Sequence, residues 1–95
     1  MKIRFANTAR ISLHSAINFI HQDNPTAAAN FLERVEKTLR RLEKHPDSGR
    51  RIPEFPELPY RELLVLPYRF IYRMDGKTIE LETVLEEARA LLKGG

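Results

Sequence analysis

Two helical stripes of apolar residues follow one another in the first half of the chain, with only Gln22-Asp23-Asn24-Pro25 between them. In the first, Ala9, Leu13, Ala16, Ile17 and Ile20 recur at spacings of three and four residues. In the second, Ala28, Phe31, Leu32, Val35, Leu39 and Leu42 form one side. Asn24 can cap the second helix, and Pro25 suits its first position, where a missing N–H costs nothing. Asn7-Thr8 offers a cap for the first helix, and His45-Pro46 stops the second. So short a connection predicts two antiparallel helices, a hairpin whose apolar side the rest of the chain must cover.

The cover is written in a different period. Residues 2–6 alternate, with Ile3 and Phe5 on one side, and read as a short strand. Strands are also predicted over 60–66, 68–74 and 77–84, and a short closing helix over 85–92. Asp75-Gly76 is a two-residue hairpin signal, and centring the turn there sets a register. Tyr72 then opposes Ile79, Phe70 opposes Leu81, and Arg69 opposes Glu82. One face carries Tyr68, Phe70, Tyr72, Ile79 and Leu81 and should pack on the helices. The other carries Arg69, Ile71, Arg73, Glu80 and Glu82, with Arg69 and Glu82 as cross-strand neighbours. The expected fold is α+β: an antiparallel β-sheet packed on an N-terminal α-helical hairpin, order β-α-α-β-β-β-α, in one domain spanning 1–95.

Between helices and sheet, Pro53, Pro56 and Pro59 recur every third residue. The spacing suits a polyproline-like ligand or a stiff crossing pinned by Ile52, Phe55 and Leu58. The net charge of +3 is unevenly placed. Residues 34–51 hold seven basic and three acidic side chains, a balance of +4 that leaves −1 for the remainder. So local a patch fits a solvated helix end better than a nucleic-acid coat. The absence of Cys removes disulfides, thiolate metal sites and Cys nucleophiles. Neither a signal peptide nor a run of ~18 apolar residues is present, so a cytoplasmic protein without membrane contact is expected. His14 and His21 stand seven apart, too far for a paired metal site, and Gly49, Gly76, Gly94 and Gly95 make no phosphate loop. No metal and no cofactor are expected.

Taken in order, Arg61-Glu62-Leu63, Pro67-Tyr68-Arg69-Phe70-Ile71-Tyr72-Arg73, Asp75-Gly76, Val84-Leu85 and Ala88-Arg89 resemble the toxins of the RelE/ParE superfamily. The helix opening at Asn24-Pro25-Thr26-Ala27-Ala28 agrees, and the resemblance covers nearly the whole chain. It implies the toxin of a type II toxin–antitoxin (plasmid stabilisation) module, neutralised by a cognate antitoxin, with a homodimer possible. It also implies one of two targets: messenger RNA in the ribosome, or DNA gyrase.

Cutting RNA through its 2′-hydroxyl needs a proton acceptor, a proton donor and cations for the phosphorane. Arg69 matches the third-strand Arg of the nuclease members. Elsewhere the pattern departs, with Glu62 on the second strand and Glu86-Glu87 where a His or a cation belongs. No His follows His45 and no Tyr follows Tyr72. The resemblance therefore favours a toxin without catalytic residues, binding DNA gyrase through Arg69, Arg73 and Arg89. The alternative is a ribosome-dependent endoribonuclease using Arg61, Arg69 and Tyr72. An antitoxin partner implies an exposed apolar patch that includes side chains of the helical hairpin.

Overall fold

The computed structural model describes residues 1–86. Its elements run β1 (Lys2–Phe5), α1 (Asn7–Asp23), α2 (Pro25–Lys44), β2 (Arg50–Arg51), β3 (Arg61–Val65), β4 (Tyr68–Asp75) and β5 (Thr78–Glu86). The strands form one sheet in the order β1-β5-β4-β3-β2. Neighbours from β5 to β2 are antiparallel, as expected. β1 lies parallel to β5, so the sheet is mixed. That pairing follows from the connection, because α1 and α2 carry the chain away from β1 before it returns.

The helices form where the apolar spacing put them. The Asn24 side chain accepts a hydrogen bond from the Ala27 N–H at 3.1 Å, and Pro25 opens α2. α1 begins one residue earlier than Asn7-Thr8 capping would allow. Ala6 is its N-cap and makes no side-chain cap. Ala9 and Ala16 are its fully buried positions, and their small side chains let α1 lie close on β5. Ala28, Phe31, Val35 and Leu42 bury the inner side of α2. Phe31 meets Tyr68 with ring centroids 5.5 Å apart and tilted planes, a favoured aromatic arrangement. Phe70, Tyr72, Ile79, Leu81 and Val84 complete the core.

The predicted inner face holds, but the hairpin register does not. Asp75 pairs with Thr78, so the turn is Gly76-Lys77 rather than Asp75-Gly76. Gly76 has φ +62°, and among the described residues no other has positive φ. A turn that needs positive φ only at its first central position places Gly there and spares Asp75 a left-handed conformation. Tyr72 consequently opposes Leu81, and Arg73 opposes Glu80. A β-bulge then follows: Tyr72 pairs Leu81 but Ile71 pairs Thr83, leaving Glu82 as the extra residue. Arg69 opposes Leu85, not Glu82.

β2 is an addition, a two-residue strand of exposed arginines that offers no apolar alternation to read. β5 extends through Leu85 and Glu86, which belong to the sheet and not to a closing helix. The remainder of that expected helix lies outside the described residues. Phe55 and Leu58 are exposed, so the Pro-rich connection is not pinned to the core by them.

Candidate functional site

The sheet face turned away from the helices is charged, and its charges alternate strand by strand. Arg4 of β1 donates from Nε to Glu80 of β5 at 2.9 Å. Arg73 of β4 donates from Nε to Glu82 of β5 at 2.9 Å. Arg69 of β4 donates from Nε to Glu62 of β3 at 2.5 Å. The other oxygen of Glu62 accepts from Arg50 Nε of β2 at 2.8 Å. From β1 to β2 the signs therefore run plus, minus, plus, minus, plus. The bulge contributes directly, since Glu82, the residue it leaves unpaired in the ladder, is the one that meets Arg73.

Arg69 is the most enclosed cation of this face. It is 7% exposed and Glu62 is 2% exposed. While Nε faces Glu62, the two terminal nitrogens grip Glu54, each at 3.2 Å from one carboxylate oxygen. Glu54 comes from the Pro-rich connection between β2 and β3. Burial opposes the charge on Arg69, but the bonds to Glu62 and Glu54 outweigh it and hold the guanidinium above its ordinary range. The hydrogen bond from Arg69, with further help from nearby Arg50, holds the Glu54 carboxyl below its ordinary value.

Arg61, Arg69 and Tyr72 do not converge. Arg61 pairs with Tyr72 across β3 and β4, and both address the loop after α2. Arg61 donates to the Gly49 carbonyl at 2.8 Å. The Tyr72 hydroxyl donates to the Pro46 carbonyl at 2.8 Å and accepts from the Gly49 N–H at 2.9 Å. Arg69 lies on the opposite face of the sheet. Burial raises the Tyr72 phenol above its ordinary value, against the pull of the Gly49 bond. Glu86 also leaves the charged face, because it pairs with Tyr68 and lines a groove on the helix side. Of the expected contact residues, Arg73 is half-buried and paired, Arg69 is enclosed, and Arg89 lies outside the described residues.

Glu54 and Arg50 are the members that the sequence did not reveal. Arg50 belongs to a strand without apolar pattern, and Glu54 reaches Arg69 from an irregular segment to which no register applies. Glu62 of β3 and Arg69 of β4 share one face of the sheet and pair across it.

A second surface lies on the helix side. Ile11 and Phe19 of α1 are 68% and 67% exposed. With Ser15, Tyr68, Val84 and Glu86 they border an open groove of about 530 Å³. This is the apolar patch on the helical hairpin that an antitoxin partner implied. Among the described residues, no group of three His, Cys, Asp or Glu could hold a metal ion, and no helix is long and apolar enough to cross a membrane.

A helical hairpin laid on one side of a five-stranded sheet is an architecture this chain shares with solved structures. A chain of the "Chromosomal ParDE TA system from P. aeruginosa" superposes with a TM-score of 0.73 at 19% identity, over 90% of this chain and 95% of that one. The "YoeB/ParE toxin from Agrobacterium tumefaciens" superposes with a TM-score of 0.58 at 16% identity, over 90% and 98%. No functionally curated protein matches the chain. The family described as ParE toxin of type II toxin-antitoxin system, parDE, matches residues 3–91. The chain belongs to the ParE toxin family of the RelE/ParE superfamily.

Proposed function

We propose that the free chain inhibits growth by binding a protein target, DNA gyrase, and that a cognate antitoxin holds it inactive by covering the groove beside Ile11 and Phe19. The observation that carries this reading is the separation of Arg61 and Tyr72 from Arg69 by the thickness of the sheet. Ribonuclease chemistry would need them around one phosphate. Arg69 has both ends of its guanidinium engaged by carboxylates, and a phosphate approaching that face would meet Glu62, Glu80 and Glu82. Membership of a toxin family supports the pairing with an antitoxin, and the exposed apolar groove gives such a partner a place to bind. Contacts to the target are assigned to Arg73 and Arg89.

Expression of the chain without antitoxin, followed by mapping of RNA ends on actively translated messages, tests the choice between targets. Growth arrest with intact messages is expected. Codon-phased cuts that vanish in Arg69→Ala would overturn the reading in favour of the ribosome.

A further inference from the structure

The two carboxylates on Arg69 are unequal. Glu62 is buried, belongs to β3, and sits at 2.5 Å from Nε. The Glu54 side chain is half-exposed and lies at 3.2 Å from each terminal nitrogen. A tight charge-assisted pair would be closer, at about 2.7–2.9 Å. Glu54 also stands in the irregular connection between Arg51 and Arg61. The two backbone hydrogen bonds of that connection, Phe55 N–H to Ile52 and Leu58 N–H to Phe55, are internal to it. Among the described residues, its hydrogen bonds with side chains of the rest of the chain are those that Arg69 donates to the Glu54 carboxylate and Arg51 to the Leu58 carbonyl. Phe55 and Leu58 are exposed and do not anchor it.

We propose that the terminal nitrogens of Arg69 form a carboxylate-binding site, filled in cis by Glu54, which an acidic side chain of a protein partner takes over by displacing the connection. The fork offers two parallel donors, and the occupant already present is a carboxylate that meets both at equal distance. Charge selects the same ligand. Arg50, Arg69 and Glu62 together carry +1 once Glu54 leaves, and one carboxylate restores neutrality. A phosphate of a nucleic acid brings its neighbours with it, and these would face Glu62 and Glu82. Release of Glu54 leaves Arg69 its bond to Glu62 but strips the acceptor from both enclosed terminal nitrogens, which is costly, so release of Glu54 and arrival of the second carboxylate are coupled. The same contact holds the Glu54 carboxyl below its ordinary value. The inference rests on the surroundings of Arg69 and is independent of gyrase being the target.

The test follows the Arg69 Nε–H resonance by NMR while acetate is titrated at constant ionic strength. It uses the wild-type chain, Glu54→Ala and Glu54→Gln, with Glu57→Ala as a control in the same connection. In Glu54→Ala the resonance should shift saturably, at acetate concentrations at least about tenfold lower than in wild type, where the tethered side chain competes. Glu57→Ala should behave as wild type, and Glu54→Gln should fall between the two. Absence of a shift in Glu54→Ala, whose dispersed spectrum verifies the fold, would overturn the proposal. So would inorganic phosphate acting at lower concentration than acetate, which would make the fork a phosphate site.

Discussion

Glu62 sits between two guanidinium groups, one oxygen for each, with almost no contact with solvent. Replacing it by Gln keeps the shape and removes the charge that makes an enclosed Arg69 tolerable. Breaking a buried pair from one side costs about 3–5 kcal/mol, and Glu54 remains to help. Glu62→Gln is therefore expected to lose about 3 kcal/mol in urea unfolding, near the lower end of that range. Tyr72 makes a different prediction. Its phenol is raised above the ordinary value of 10.0, chiefly by burial. At alkaline pH the unfolded chain releases this proton before the folded chain does, so the folded state binds more protons and stability falls as pH rises. The contribution is complete below about pH 10 and is lost above it, as pH climbs through the higher folded value. Tyr72→Phe should flatten that alkaline decline in urea midpoint. At neutral pH it should cost about 1–2 kcal/mol, from two lost hydrogen bonds in a buried setting. Gly49 explains why this tyrosine fits: a Cβ there would stand 2.6 Å from Tyr72 Cε1 and from its hydroxyl, and 2.8 Å from the Glu62 carbonyl. Gly49→Ala is expected to destabilise by about 1–3 kcal/mol through overpacking, measured in the same unfolding series.

At the scale of elements, the helices were legible and the hairpin was legible only in part. Helical spacing is redundant: Ala28, Phe31, Val35 and Leu42 repeat the same message over four turns, and Asn24-Pro25 marks the start independently. Asn24→Ala should accordingly lower stability by about 1 kcal/mol, seen in the thermal midpoint, because the Ala27 N–H loses its acceptor. The strands carry less redundancy. Tyr68, Phe70 and Tyr72 identify the inner face whatever the register, and all three are buried. Which residues oppose them depends on a single turn and on the bulge. Asp75-Gly76 fits a turn with two positive φ angles, but Gly76-Lys77 asks for only one, and the chain adopts the cheaper conformation. The displaced turn already takes Glu82 from opposite Arg69, and the bulge, which leaves no trace in composition, then leaves Glu82 unpaired in the ladder, where its side chain meets Arg73. The contact that completes the charged site, Glu54 to Arg69, joins a strand to a segment without periodicity, so no spacing argument could have paired them.

Over the whole molecule, the sheet separates two surfaces of opposite character. The helix side leaves an apolar groove between α1 and the end of β5. The other side is a lattice of ion pairs whose cations are already engaged. That division is consistent with a chain that one protein partner silences and another receives, and it leaves a nucleic-acid backbone little unneutralised charge to grip. Gripping an RNA backbone would ask for the opposite, an open cationic face. The most direct test of this account is a supercoiling assay with purified DNA gyrase and the purified, antitoxin-free chain. Loss of supercoiling, restored by the cognate antitoxin and weakened by Arg89→Ala, is the predicted result. Undiminished supercoiling at concentrations of the chain that arrest growth would contradict it.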